Sequence, residues 1–158
     1  MKLVEFKQNH FKQLVEWIKT DELNYLWGGP AYSFPLTVAQ IKYHCAQEEV
    51  HPYLFSVNDE NAGFIELYKV SDDHYRICRV FISEAFRGLG LAKEMMSLAI
   101  EKARNDLSAE MFSLVVFEHN TAARKCYESL GFATFTVESG TRYFNGESWK
   151  LLRMEKQF

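Results

Sequence analysis

The stretch Phe86-Arg87-Gly88-Leu89-Gly90-Leu91-Ala92 limits what this chain can fold into more than any other. Ahead of it, Ile77-Cys78-Arg79-Val80-Phe81-Ile82 reads as a buried strand, and behind it a helical pattern runs from Leu91 to about Arg104. Two glycines between a strand and a helix let a ligand come close to the main chain. The start of the helix offers unpaired N–H groups and the positive end of its dipole, a natural seat for an anion. A dinucleotide fingerprint would need a third glycine where Lys93 stands. A P-loop would need Gly-Lys-Ser/Thr, which the chain lacks. What remains is a shorter Arg-Gly-x-Gly-x-Ala turn, either a pyrophosphate seat or a plain tight turn.

The flanking patterns say what the turn is built into. Lys2 to Lys7 alternates weakly and predicts an opening strand, followed by an amphipathic helix through Phe11, Leu14, Val15 and Ile18 with Asn9 as its N-cap. Leu23 to Pro35 is aromatic but broken by Gly and Pro, so it cannot be one regular element. Thr37-Val38-Ala39-Gln40 is a capping box, with Leu36 and Ile41 as its staple, opening a helix from Val38 to about Gln47. His51-Pro52 ends that helix. Tyr53 to Val57, Ala62 to Val70 and Tyr75 to Ile82, joined by short polar turns, predict an antiparallel meander.

Beyond the glycine turn the order changes to helix, strand, helix, strand. Leu91, Met95, Leu98 and Ala99 form one helix face, widened by Met96, Ile100 and Ala103. Phe112 to Phe117 is almost continuously apolar, as in a central strand covered on both faces. A strand, a crossover helix and a second strand should run parallel. Asn120 then caps a helix that Gly131 stops, Phe132 to Val137 is a strand, Asn145-Gly146 a hairpin turn, and Trp149 to Glu155 a last strand. With no repeat or linker, residues 1–158 read as one α+β domain.

Composition excludes several function classes. A formal charge of −3 gives no global basic field for nucleic acid. Cys45, Cys78 and Cys126 are odd in number and lack metal-ligand spacing, which points to reduced thiols and no metal site. The first residues lack the apolar core of a signal peptide, and no run approaches the ~20 apolar residues of a membrane span. A soluble, cytoplasmic protein without a membrane partner is expected.

A second constellation lies downstream. Asn120 to Phe132 has the form NxxAxxxYxxxGF. Asn120 and Tyr127 are seven residues apart, hence on one helix face and about 10 Å apart along its axis. Alone, each has a bland reading: Asn120 caps, and Tyr127 packs.

Together the two stretches resemble the GNAT superfamily of acetyl-CoA-dependent N-acetyltransferases. Arg87 to Ala92 is similar to its motif A, R/Q-x-x-G-x-G/A, and Asn120 to Phe132 to its motif B, separated by a helix and a strand. The resemblance covers residues 75 to 137. It implies a mixed, mostly antiparallel twisted sheet with helices on both faces and one parallel, splayed strand pair. It implies a role for each residue as well. Val80, Phe81 and Ile82 would meet the pantetheine arm of acetyl-CoA, with the main chain of Val80 and Ile82 pairing as if to an added strand. Arg87, Gly88, Leu89, Gly90, Leu91 and Ala92 would hold the pyrophosphate, with Lys93 adding charge. Asn120 would contact the cofactor arm or a bridging water, and Ala123 would line the same cofactor site. Tyr127 would be catalytic, protonating the departing thiolate as general acid.

The acceptor implied is a primary amine of a small molecule, peptide or protein N-terminus, attacking directly in a ternary complex. A Glu that some relatives carry five residues before the Asn is here Val115. Glu66, Glu118, His119 or water remain as the base. Glu66 sits either in a pair with Arg79 or on an exposed sheet face, and Arg79 itself either makes that pair or reaches into the acceptor site. Trp27-Gly28-Gly29-Pro30 and Phe34-Pro35-Leu36-Thr37 look like a segment from a bacterial branch near the ribosomal-protein acetyltransferases. Trp27, Tyr32, Phe34, Tyr68 and Trp149 are candidates for the acceptor pocket or for plain core packing. The rival reading is a non-catalytic acyl-CoA-binding sensor or scaffold, supported only by Val115. A homodimer through the C-terminal strand, taken as an exposed edge, completes the expectations.

Overall fold

The computed structural model describes residues 1–158. The chain opens with β1 (Lys2–Glu5), α1 (Phe11–Trp17), α2 (Asp21–Gly28) and α3 (Val38–Cys45). The meander follows as β2 (Val50–Val57), β3 (Glu60–Lys69) and β4 (His74–Ile82). Next come α4 (Leu91–Leu107), β5 (Met111–Phe117), α5 (Thr121–Ser129), β6 (Ala133–Glu138), a small hairpin of β7 (Tyr143–Phe144) and β8 (Glu147–Ser148), and β9 (Leu151–Gln157). Seven strands form one sheet in the order β1-β2-β3-β4-β5-β9-β6. Every pair in it is antiparallel except β4 with β5. The α+β class and the single parallel pair are as the sequence predicts.

Alternation along the strands builds two cores, one on each face. Tyr53, Phe55, Ile65, Leu67, Ile77, Leu114 and Met154 point to the face covered by Met95, Met96, Ala99 and Ile100 of α4 and by Tyr127 of α5. Leu54, Phe64 and Phe81 point to the other, where Phe11, Leu14, Trp27 and Ile41 of α1, α2 and α3 cover them. A third cluster of Phe117, Trp149 and Leu151 extends that second face, with Tyr25 and Leu26 of α2 against it.

Several local expectations need correction. His10, not Asn9, closes the entrance to α1: its Nδ1 accepts the Lys7 N–H at 2.9 Å, and residues 8–10 form a 3-10 turn. Thr37 does cap α3, accepting from the Gln40 N–H at 3.3 Å. The Gln40 side chain, however, turns to the carbonyls of Ser33 and Pro35, both at 3.1 Å, and ties down the proline loop. A helix over Asp21–Gly28, capped by Thr20, occupies part of the stretch that the glycines and prolines break up. His51 and Pro52 lie inside β2, whose Pro52 carbonyl accepts from Phe6, one residue past the end of β1. At that end of the ladder the missing proline N–H costs nothing.

The largest correction concerns the C-terminus. β9 lies between β5 and β6, so the free edges of the sheet are β1 and β6. The last strand is not an exposed edge. No helix is long and apolar enough to cross a membrane.

Candidate active site

The site begins with a fault in β4. Phe64 of β3 pairs with Phe81, and Glu66 with Cys78, so two residues of β4, Arg79 and Val80, stand opposite one of β3. This is a β-bulge, and Arg79 sits in it with a positive φ of 53°. Three contacts hold it. The Arg79 carbonyl accepts from the indole Nε1 of Trp27 at 2.9 Å, its guanidinium donates to Glu66 at 2.9 Å, and the other oxygen of Glu66 meets His44 Nε2 at 2.9 Å. Glu66 is wholly buried, which decides against the exposed-face reading.

The bend separates the parallel strands. β4 pairs with β5 from His74/Met111 to Ile77/Leu114 and no further. The Ser83 N–H donates to Ala62 of β3 at 2.8 Å, so by alternation Phe81 also faces β3. The main-chain groups of Val80 and Ile82 therefore face the gap. A cavity of about 670 Å³ fills it and passes between the two faces of the sheet.

The glycine turn runs between two lining residues, Arg87 and Ala92. Gly88 and Gly90 have φ of 78° and 72°, a conformation that suits glycine, and a Cβ on either would point into open space. No main-chain N–H from Gly88 to Lys93 donates to any group of the protein. Six consecutive donors are therefore unsatisfied, the last three in the first turn of a helix of 17 residues, an arrangement able to receive an anion. Arg87 sits beside them, its Nε donating to the Ile82 carbonyl at 3.0 Å and its guanidinium 5.4 Å from the centre of the Phe81 ring.

Motif B supplies the facing wall. Asn120 stands at the start of α5 but its side chain makes no capping bond, contrary to expectation, and it lines the cavity. Ala123 and Tyr127 line the same wall. Tyr127 is buried, yet its hydroxyl has no partner within the chain and opens on the cavity. Burial, with lesser contributions from the Cys126 and Cys78 thiols, pushes its pKa above the ordinary phenol value. Burial, then the Glu66 charge, pushes the Cys78 thiol up to about 11, and burial also raises Cys126.

Of the other residues singled out from sequence, Val80, Phe81, Ile82, Arg87 and Ala92 line the cavity; Gly88, Leu89, Gly90, Leu91 and Lys93 do not, although the first four connect two residues that do. None of the three candidate bases lines it. Glu66 is locked between Arg79 and His44, and Glu118 and His119 are exposed, the latter against Trp149 with ring centres 4.4 Å apart. Among the five aromatics only Trp27 reaches the cavity. Tyr32 stacks on Trp27, Trp149 belongs to the third core cluster, Tyr68 lies under Arg76, and Phe34 is exposed. Sequence reasoning missed Leu23, Leu26, Cys78 and Arg142, all of which line the cavity. The α2 residues carried a helical signal that the flanking Gly-Gly-Pro obscured, whereas nothing local marked Arg142.

A bulged strand, a splayed parallel pair, a turn with unpaired N–H groups and a buried tyrosine meet around one cavity. The model of the acetyltransferase (GNAT) family matches residues 11–132, and the chain belongs to that family. Spermidine N(1)-acetyltransferase of Escherichia coli (strain K12) is 26% identical over 112 residues, 70% of this chain and 60% of that protein. Aminoglycoside N(6')-acetyltransferase type 1 of Serratia marcescens is 23% identical over 169 aligned positions, 96% of this chain and 84% of that protein. The chain spans between 52% and 60% of the length of three of the curated relatives it matches. The crystal structure of spermidine N-acetyltransferase from Vibrio cholerae in complex with CoA and spermine has a TM-score of 0.85 at 15% identity, covering 99% of this chain and 94% of that one. At that identity the likeness is one of fold.

Proposed function

We propose that this protein transfers an acetyl group from acetyl-CoA to a primary amine, with both substrates bound at once. The observation that carries the reading is the stretch of β4 past Ile77 that is unpaired with β5, followed after a 3-10 turn at Glu84–Phe86 by six unpaired N–H groups. An extended amide-containing arm ending in a pyrophosphate is the ligand that would use both. Val80 and Ile82 would bond the arm's amides as a further strand would. Gly88 to Lys93 would hold the pyrophosphate, and Arg87 and Lys93 would add charge. Asn120 and Ala123 would flank the arm. Family membership and the N-acetyltransferase relatives support the same choice.

The chemistry is exchange of a thioester for an amide. The donor supplies an activated acyl carbon; a C–N bond forms, the C–S bond breaks, and the thiolate takes a proton. Tyr127 would give that proton, since its raised pKa keeps the hydroxyl protonated beyond the ordinary phenol range, and would regain one through water from the nitrogen that becomes the amide. The incoming ammonium must lose a proton first. No Asp, Glu or His lines the cavity, so water would carry that proton away. Raised thiol pKa values at Cys78 and Cys126 argue against an acyl-cysteine route, because the thiolate is the nucleophile.

Calorimetry with acetyl-CoA, followed by thiol release in the presence of an amine panel, tests the reading. Saturable binding and amine-dependent release are expected. Absence of binding at high micromolar acetyl-CoA would overturn it.

A further inference from the structure

The charge of the cavity is one-sided. Arg76, Arg79, Arg87 and Arg142 all reach it, and no carboxylate does. The chain as a whole carries a net charge of −3, so this is local gathering of cations rather than general basicity. The four differ in what balances them. Arg79 is neutralised by Glu66 at 2.9 Å, and Arg87 stands beside the glycine turn.

Arg76 and Arg142 are left, and both belong to the end of the cavity away from Tyr127. Arg76 alternates with Tyr75 and Ile77, whose side chains pack in the core under α4, so it projects from the opposite face. There its guanidinium lies 5.6 Å from the centre of the Tyr68 ring, with no carboxylate in ion-pair range. Arg142 is tied to that same face: its carbonyl accepts from the N–H of Trp149, whose ring packs in the third core cluster beside α2. The nearest carboxylate to its guanidinium is Glu138 at 4.0 Å. Glu138 is already engaged by Thr141 at 2.6 Å and Arg153 at 3.3 Å.

If the thioester donor takes the end lined by α4 and α5, the acceptor enters from the end carrying these two arginines. We infer that the acceptor is a primary amine whose skeleton also bears an anionic group, a carboxylate or a phosphate, received by Arg76 and Arg142. The inference rests on the acetyltransferase reading. Planar guanidinium forks match both oxyanions, and partial enclosure strengthens the pairing. A polycation has the opposite fate: its extra ammonium groups would meet two guanidiniums, of which only Arg142 has a carboxylate near, the shared Glu138 at 4.0 Å, and no carboxylate lines the cavity to receive them.

The test compares kcat/KM for the full chain with four acceptors: a neutral alkylamine, an ω-amino carboxylate, an aminoalkyl phosphate and spermidine. One or both anionic amines should exceed the neutral amine by about tenfold, the worth of one charge-assisted hydrogen bond, and spermidine should fall below it. The preference should shrink as salt rises. Arg142→Gln and Arg76→Gln should each drive the anionic-to-neutral ratio towards unity, and Arg142→Lys should restore part of it. Whichever anionic amine leads identifies the oxyanion. Preference for spermidine, no preference for either anionic amine, or a ratio untouched in both Gln variants overturns the inference while leaving the enzyme reading intact. Loss of the enzyme reading shows separately, as failure of the same preparation to bind acetyl-CoA.

Discussion

Tyr127 keeps its proton because α5 buries its ring against the core while its hydroxyl opens on the cavity. Since its pKa is raised, the protonated form persists beyond the pH at which a free phenol ionises, about 10. Activity should therefore show no alkaline fall from this residue. With no carboxylate or imidazole in the cavity, kcat/KM should rise with unit slope up to the acceptor's own pKa; a plateau near pH 6–7 would instead reveal a base on the protein. Tyr127→Phe should lower kcat by about a hundredfold or more, within the range of general-acid contributions, with little change in the calorimetric affinity for acetyl-CoA. Initial-rate patterns should intersect, as for a ternary complex, and parallel lines would indicate an acyl-enzyme. At this scale the sequence was legible where function follows helix periodicity. Asn120 and Tyr127 are seven residues apart and do share a cavity wall. Arg76 and Arg142, by contrast, are joined only through the tertiary fold, since 66 positions separate them and no local pattern couples them.

The glycine turn and the bulge are the elements on which the site depends. Gly90→Ala should weaken acetyl-CoA binding, since φ of 72° strains a side chain by about 1–2 kcal/mol, and the new Cβ would stand in the open space over the anion seat. Calorimetry on the folded variant measures the loss, and unchanged affinity would remove the turn from the binding site. The bulge depends on a buried carboxylate. Glu66→Ala would leave Arg79 and His44 without their partner, and losses of about 3–5 kcal/mol are usual when one member of a buried pair is removed. Urea denaturation should show that loss, and a shift under 1 kcal/mol would mean that the bulge holds by itself. The glycine turn could be read from sequence because few residues tolerate positive φ there. The bulge could not, since Arg79 looks like an ordinary polar interruption until Trp27 and Glu66 are seen to grip it.

Across the whole molecule, helices and strands apart from α2 were legible to within a few residues because hydrophobic alternation and capping are local; α2 was hidden by the Gly-Gly-Pro that ends it. Strand order was not: nothing in Leu151–Gln157 says that it inserts between β5 and β6. A ligand that binds only the folded form adds about 2.7 kcal/mol at a hundred times its Kd, and for a domain near this size each kcal/mol moves Tm by about 2–4 °C. Saturating acetyl-CoA should raise Tm by several degrees, read by calorimetric scanning. Its reach should extend beyond local contacts because of how the sheet is joined. Only four residue pairs, His74/Met111 to Ile77/Leu114, connect β1–β4 to β5, β9 and β6. The sheet is in effect two leaves stitched along half of their common seam. A ligand lying along β4 would become the filling of that seam, so amide exchange in strands distant from the cavity should slow when it binds, and its departure would return the protein to a state in which the leaves can breathe apart.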